Sequence, residues 1–277
     1  MNLKVYNRVE NAARGARAFT MIEIAIAIGV IGFALVAIIG ILPQGLNVQK
    51  DNREDTIVNQ DANFFMQAIR SGAVMTNDPQ FGLMPYAPGL NFLTNYVEAI
   101  LVSNVASDGT VNTYYYTNTE AGAAHYFPSG GGILGLLTTP HFLAQHVTDT
   151  IFPGTNYVRA WVNGLNGSAL EQAGANSAVA FRYIMDVQIS PFMSFPANVI
   201  MTTNDPTRLQ KAQFICHNLY EAEFTFRWPI LGNGQPGPNR QTFRSTIAGH
   251  LSTVGGKFAT FYAFQPQSFL TNMYTQQ

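Results

Sequence analysis

A long run of apolar residues near the N-terminus constrains this chain more than any other feature. Residues 24–42 read IAIAIGVIGFALVAIIGIL, which is 19 residues without a polar side chain. As an α-helix this run is about 28 Å long, close to the hydrocarbon thickness of a bilayer. No second run of this kind occurs in the sequence. We therefore predict one transmembrane helix over Ile24 to Leu42.

Charges on the two sides of the apolar run predict its orientation. The segment before the run carries four basic residues and one acidic residue, namely Lys4, Arg8, Arg14, Arg17 and Glu10. The segment just after it, residues 50–55, carries two basic and three acidic residues. Basic residues near a membrane span stay preferentially in the cytoplasm. We expect a cytoplasmic N-terminus and a C-terminal bulk outside the membrane.

The apolar run differs from an ordinary secretory signal. Such a signal has an apolar core of about 7–15 residues and ends in a small-residue cleavage site. Here the core is longer, and Pro43-Gln44-Gly45-Leu46 follows it. A single-span anchor that carries an extracytoplasmic enzyme or binding domain remains an alternative.

Glu23 lies at the start of the apolar run, where a charge needs an explanation. A carboxylate at bilayer depth costs about 3 kcal/mol unless it is paired. A simple anchor gains nothing from this residue. Glu23 is therefore either tolerated at the headgroup level or required because its carboxylate has a partner.

The residues around Glu23 resemble a known motif. Arg17-Ala18-Phe19-Thr20-Met21-Ile22-Glu23 is similar to the prepilin cleavage and methylation motif of type IV pilins and type II secretion pseudopilins. The resemblance implies that prepilin peptidase cleaves after Ala18 and that Phe19 becomes the methylated N-terminus. It also implies that Glu23 pairs with the N-terminal amine of a neighbouring subunit. Ala18 replaces the family's usual Gly, and Met21 replaces the usual Leu, which Met matches closely in volume.

The same resemblance implies a structural function. The chain would be a minor pilin or pseudopilin in a type IV pilus-like or type II secretion filament, and not an enzyme. Its expected partners are prepilin peptidase, other pilin or pseudopilin subunits, the inner-membrane assembly platform and inner-membrane lipid. It would be a single-pass protein of the bacterial inner membrane, with a periplasmic C-terminal domain, before it enters the filament. Whether the machine serves secretion, adhesion, motility or DNA uptake stays open.

The apolar helix is expected to continue past the membrane. Pro43 should end or kink it, because proline lacks the N–H group and clashes with the preceding turn. Beyond it, apolar residues recur at helical spacing, and Ser71-Gly72 would stop the helix. We predict one helix from residue 20 to about 71, weakened near Pro43. Its second half should lay four side chains on a sheet: Val58, Ala62, Phe65 and Ile69.

The remaining sequence predicts a β-rich domain. The predicted organisation is a leader at 1–18, a transmembrane and assembly helix at 19–42, its amphipathic continuation at 43–72 and a globular domain at 73–277. We expect a loop at Ser129-Gly130-Gly131-Gly132 and a short helix that begins at Thr139-Pro140. From about residue 157 the strand signal strengthens and predicts strands at residues 157–162, 178–189, 213–230, 241–251 and 258–264. Residues 221–228 alternate closely with period two and are predicted to form an antiparallel hairpin with residues 240–247. The fold class is therefore α+β, a long helix on an antiparallel sheet, which agrees with the pilin-like fold that the resemblance implies.

Composition and rare residue types argue against several kinds of chemistry. Charged residues make up 11% of the chain and the formal net charge is -1, whereas nucleic-acid binding requires a clustered basic surface. The single cysteine, Cys216, cannot form an internal disulfide, and a buried apolar role is favoured over a reactive thiol. His141 and His146 are five residues apart, but a zinc pair on one helix requires a spacing of four. We expect no catalytic residue, metal or cofactor.

Two further groups of residues are interpreted as structural. The acidic residues Asp78, Asp108 and Asp205 lie near turns without the spacing of a calcium loop, so we expect them to be solvated, while calcium binding stays open. The aromatic residues of the strands are expected in the core and not on a platform that binds a ligand.

Overall fold

A computed structural model of the chain describes residues 19–72, 74–79, 82–106, 108–118, 125–127, 129–142, 154–165, 181–192, 218–255 and 260–265, with residues 207, 211 and 215. Contacts within the chain divide it into two compact units, Met1–Arg53 and Glu54–Gln277. We call them the first unit and the second unit. The second unit contains the last part of the long helix as well as every strand that the structure describes.

The long helix, α1, spans Met21–Ser71, is 51 residues long and includes Pro43. Pro43 therefore does not end the helix, because one missing hydrogen bond leaves the bonds of the flanking turns in place. A kink at Pro43 stays a prediction. The helix ends as the sequence predicts: Gly72 has a φ of 71°, in the left-handed region that favours glycine. Its N–H donates to the carbonyl of Ile69 at 3.1 Å.

Strands form most of the second unit. The elements after α1 are β1 Val74–Asp78, β2 Gly82–Tyr86, a 3-10 helix Pro88–Asn95, β3 Val97–Ala106, β4 Val111–Thr117, β5 His125–Tyr126, α2 Gly130–Leu137, β6 Gly154–Asn163, β7 Arg182–Pro191, β8 Leu219–Ile230, β9 Pro236–Ala248, β10 His250–Gly255 and β11 Thr260–Gln265. Seven of the strands form one sheet in the order β5-β4-β3-β6-β7-β8-β9. Its pairs are antiparallel except β4–β5. The predicted α+β class with a mostly antiparallel sheet is confirmed.

The hairpin of β8 and β9 follows the predicted alternation, but its second strand, Pro236–Ala248, begins and ends earlier than the predicted range 241–251. Phe224 pairs with Phe243 in antiparallel register. The predicted strand at 241–251 divides at Gly249, since β9 ends at Ala248 in the large sheet and β10, among the described strands, pairs with β11 in a separate sheet. Alternation continues across Gly249, so the pattern could not locate the change of sheet.

The last part of α1 packs where the apolar stripe predicts. Val58, Ala62, Phe65 and Ile69 are buried and belong to the same hydrophobic core as the strand residues of β7 and β8. A polar contact accompanies this packing at β9, the edge strand of the sheet. There the guanidinium of Arg70 donates to the hydroxyl of Ser245. Burial of each large apolar side chain contributes about 1.5–3 kcal/mol, so this face accounts for much of the attachment of the helix.

The predicted loop at Ser129 to Gly132 is wrong, because this segment begins α2. Ser129 is the N-cap, and its hydroxyl accepts the N–H of Gly132 at 3.1 Å. A Cβ on Gly130 would lie 1.9 Å from the carbonyl oxygen of Leu90, and one on Gly131 would lie 2.1 Å from that of Pro85. These glycines permit close backbone approach, and their number misled the sequence-based prediction.

The predicted helix that begins at Thr139-Pro140 is also wrong over the residues that the structure describes. Pro140 forms a parallel bridge with Ile189, and Phe142 forms an antiparallel bridge with Thr155. The segment is thus inserted between β6 and β7. The hydroxyl of Thr139 donates to the carbonyl of Leu136 at 2.7 Å, so Thr139, which follows the C-cap Thr138, bonds back to α2 and does not cap a new helix.

Candidate functional site

The N-terminus of α1 is held by reciprocal hydrogen bonds between Thr20 and Glu23. The backbone N–H and the hydroxyl of Thr20 donate to Oε2 of Glu23 at 2.8 and 2.9 Å. The backbone N–H of Glu23 donates to the hydroxyl oxygen of Thr20 at 3.3 Å. This arrangement is a capping box, in which the N-cap side chain and the residue three positions later satisfy donors that the helix leaves unpaired.

The carboxylate of Glu23 retains capacity for another partner. All the hydrogen bonds that the structure describes for this side chain use Oε2, whereas a carboxylate has acceptor positions on both oxygens. The side chain is exposed to solvent. The capping box therefore orients the carboxylate and leaves Oε1 accessible to a cation.

Cleavage after Ala18 would preserve this geometry. The N–H that Thr20 donates belongs to the peptide bond between Phe19 and Thr20, which cleavage leaves intact. The new amine of Phe19 would lie three covalent bonds from the nitrogen of Thr20, and hence within about 6 Å of the Glu23 carboxylate. Opposite charges at such a distance attract, more strongly in an apolar environment than in water.

The structure places the predicted N-terminal residues as follows. Phe19 is described and exposed, and Glu23 lies in the first turn of α1. Ala18 lies outside the described residues. Thr20 is the residue that sequence reasoning missed, although the pattern Thr-x-x-Glu ahead of an apolar run is a capping-box signature and was available in the sequence.

The apolar segment after Glu23 is exposed in the part of the chain that the structure describes. Every residue of Ile24 to Leu42 is exposed, and this is the one described helix that is long and apolar enough to cross a membrane. Soluble proteins rarely expose a contiguous apolar surface of this size. The helix is thus compatible with a membrane or with burial among other protein chains.

The other candidate residues do not assemble into a site in the part of the chain that the structure describes. Among those residues no group of three His, Cys, Asp or Glu side chains could hold a metal ion. Asp108 lies in a turn, where its Oδ1 accepts the N–H of Thr110 at 2.8 Å and this bond lowers the pKa of the carboxyl group. The imidazole of His141 contacts the carbonyl oxygen of Asn156. Cys216, His146 and Asp205 lie outside the described residues.

Comparison with known proteins found no match: no family model, curated protein or solved structure matches the chain.

Proposed function

We propose that this protein is a prepilin-type structural subunit, a minor pilin or pseudopilin of a type IV pilus-like or type II secretion filament. The observation that carries the proposal is the oriented carboxylate of Glu23 at the head of an exposed apolar helix, with Phe19 four residues before it. A helix that only anchored a domain in lipid would gain nothing from a charge at this position.

Assembly uses both the apolar helix and the charged groups at its start. The apolar residues from Ile24 to Leu42 leave lipid and pack among the same helices of neighbouring subunits. The amine of Phe19 and the carboxylate of Glu23 enter this apolar interior together and neutralise each other. An unpaired charge in such an environment is strongly unfavourable, whereas pairing offsets much of the desolvation cost.

The second unit supplies the exposed part of the subunit. In the proposed topology the basic leader stays in the cytoplasm and the β-rich unit faces the periplasm. Membrane lipid, prepilin peptidase, the assembly platform and other subunits are the partners in this scheme. No step of the scheme requires a cofactor or a catalytic residue of this chain.

Two variants separate the charge of Glu23 from its role in capping. Glu23→Gln keeps a side-chain oxygen that can accept the N–H of Thr20, because Gln also serves in capping boxes, but it lacks the charge. Thr20→Ala removes the hydroxyl and keeps the charge. We expect Glu23→Gln to lower the ratio of sheared-filament protein to membrane-pool protein severalfold, and Thr20→Ala to lower it less. Contacts along the apolar helix persist, so slow or partial assembly is expected.

The assembly experiment needs matched expression and a check that cleavage after Ala18 is unchanged. Asp55→Asn is the control, because Asp55 is an exposed carboxylate of α1 remote from its N-terminus. The proposal fails if Glu23→Gln enters filaments as the unaltered protein does while Thr20→Ala does not. Glu23 would then be a helix cap only, and a single-span anchored enzyme or binding protein would become the better explanation.

A further inference from the structure

The face of the seven-stranded sheet that points away from the core carries three aromatic side chains. Successive residues of a strand point to opposite faces of the sheet. The core side of β4 and β6 is marked by the buried residues Tyr116, Val158 and Val162. Their neighbours therefore lie on the far face, contrary to the expectation that strand aromatics fill the core. We call Tyr115, Tyr157 and Trp161 the aromatic platform.

The rings of the aromatic platform surround a small area of the sheet. Tyr115 pairs with Leu101, and Leu101 pairs with Arg159, so Tyr115 lies two strands, or about 10 Å, from β6. Tyr157 and Trp161 are four residues apart on β6, about 13 Å. The ring centroids of Tyr115 and Trp161 are 6.3 Å apart with planes at 67°. Tyr115 is 43% exposed and Tyr157 is 56% exposed.

Polar groups lie among these rings. Arg159, between Tyr157 and Trp161 on β6, donates through Nε and Nη2 to the two carboxylate oxygens of Asp186 at 2.6 and 3.2 Å. Both side chains remain partly accessible. The register places the hydroxyl residues Ser103 and Thr113 opposite each other on the same face as Tyr115. Nε of Arg227 also lies 3.5 Å from Oδ2 of Asp186. The platform thus combines flat apolar surfaces with hydroxyl groups and a cluster of one carboxylate and two guanidinium groups.

Sheet stabilisation alone explains only part of this arrangement. A cross-strand aromatic contact accounts for the pairing of Tyr115 with Trp161. Tyr157 contacts the imidazole of His141 edge to face, with ring centroids 5.3 Å apart, yet more than half of its surface remains in solvent. Aromatic residues with a packing role in the same sheet are buried, such as Tyr183 and Phe224.

We propose that the aromatic platform binds a neutral saccharide chain. The C–H face of a sugar ring presents weakly positive hydrogens, which suit the negative face of an aromatic ring. Its hydroxyl groups match the donors of Arg159, the acceptors of Asp186 and the hydroxyls of Ser103 and Thr113. Arg159 and Arg227 both contact Asp186, whereas a nucleic-acid strand on stacking rings requires unpaired cations along its backbone. The distance of about 13 Å along β6 accommodates more than one sugar ring.

Affinity electrophoresis of the full-length chain in detergent tests this proposal. Native gels contain hydroxyethyl cellulose, dextran, mannan or xyloglucan, with hyaluronan and single-stranded oligo-dT as charged comparators. We expect at least one neutral polymer to retard the protein. Tyr115→Ala and Tyr157→Ala should each weaken this binding about three- to tenfold, because each removes one stacking ring.

Tyr114→Ala is the matched control. Tyr114 is the neighbour of Tyr115 on β4 and is equally exposed at 42%, but it points to the opposite face. Its substitution should leave retardation unchanged. Tryptophan fluorescence gives a second readout, because Trp228 is buried and ligand-induced shifts therefore report on Trp161. A shift with the retarding polymer that disappears in Trp161→Phe supports the proposal.

Three results would overturn the saccharide proposal. The first is the absence of retardation by all four neutral polymers. The second is an equal loss of retardation in Tyr114→Ala and Tyr115→Ala. The third is self-association of the protein without polymer that Tyr115→Ala abolishes, which would assign this face to a second copy of the chain. The proposal does not depend on filament assembly, so either proposal can fail while the other stands.

Discussion

The hydroxyl group of Tyr183 on β7 donates a 2.9 Å hydrogen bond to Oδ2 of Asp61 on α1, and both side chains are fully buried. The same carboxylate oxygen accepts the backbone N–H of Leu165 at 2.9 Å. This buried polar contact links the last part of α1 to the sheet and to the segment that follows β6. It lies within an apolar core, where an unpaired polar group is costly.

Loss of the Asp61 carboxylate is expected to destabilise the second unit. Asp61→Ala leaves the buried hydroxyl of Tyr183 and the partly buried N–H of Leu165 without this acceptor, which costs about 2–4 kcal/mol in total. Chemical denaturation of the full-length protein in detergent measures this loss. Asp55→Ala, on the exposed side of the same helix, should change the free energy of unfolding by less than about 0.5 kcal/mol. Equal effects of the two substitutions would contradict the structural role of the buried contact.

Tyr183 also predicts how stability depends on alkaline pH. Burial, the nearby charge of Asp61 and the hydrogen bond to it raise the pKa of Tyr183 well above its ordinary value of 10.0. The folded protein therefore keeps this hydroxyl protonated where the unfolded chain ionises. The stabilisation is present below pH 10 and is lost as pH rises above it, by up to about 1.4 kcal/mol per pH unit for this group.

Denaturation at pH 9, 10 and 11 tests the alkaline dependence. Burial also raises the pKa of Tyr116, to about 12, so the informative quantity is the difference between the unaltered protein and Tyr183→Phe. Tyr183→Phe should show a smaller decline of stability above pH 10. An identical decline in both proteins would mean that Tyr183 does not carry the effect.

Two neighbouring glycines of α2 should respond differently to substitution by alanine. A Cβ on Gly131 would lie 2.1 Å from the carbonyl oxygen of Pro85, whereas the nearest atom to a Cβ on Gly132 is the Met84 methyl at 3.6 Å. We expect Gly131→Ala to cost about 1–3 kcal/mol or more through forced backbone movement. Gly132→Ala should be neutral or stabilising by up to about 1 kcal/mol, because alanine favours helix. Thermal unfolding of both variants distinguishes them, and equal stabilities would argue against the close packing of α2.

Processing at Ala18-Phe19 follows from the proposed function. Mass spectrometry of the membrane-extracted protein should find a chain that begins with a methylated Phe19. Ala18→Gly should leave cleavage intact or accelerate it, and Ala18→Leu should block it, because the cleaved bond requires a small residue in the family that the motif resembles. An intact Met1 terminus in cells with active prepilin peptidase would refute the prediction.

The proposed orientation is tested by a reporter fusion. Basic residues before the apolar run and the slightly acidic segment after it predict a periplasmic C-terminus. Alkaline phosphatase fused after Gln277 should therefore be active, since this enzyme depends on the periplasm for its folding. A stable but inactive fusion would reverse the orientation and remove the filament proposal with it.

Elements with a strong local pattern could be predicted from the sequence, and elements defined by distant contacts could not. The end of α1 at Ser71 and the alternation of β8 are examples of the first kind, because Gly72 and the period-two pattern act within a few residues. The α2 helix is an example of the second. Its run of glycines is typical of a loop. Only the structure shows that the backbones of the 3-10 helix and β2 lie so close to Gly130 and Gly131 that a Cβ would not fit there.

The contacts of the candidate residues likewise include some that are encoded locally and some that depend on distant parts of the chain. Thr20 and Glu23 are three residues apart, so their capping box is encoded locally and was accessible to sequence reasoning. The position of Pro140 between β6 and β7 depends on hydrogen bonds to strands far along the chain, which a Thr-Pro pattern cannot predict. Likewise, only the strand register shows that Tyr115 and Trp161 share a face.

The sequence by itself determined the apolar helix, the basic segment before it, the carboxylate at its start and the β-rich character of the remainder. These features depend on composition and on short-range periodicity, which are properties of the sequence and do not require the folded structure. The tertiary structure decided that Asp61 meets Tyr183, 122 residues away, and that three strand aromatics lie outside the core. Both outcomes depend on which strands pair and in what register. Register is set by the summed packing of the whole sheet, so no single segment specifies it.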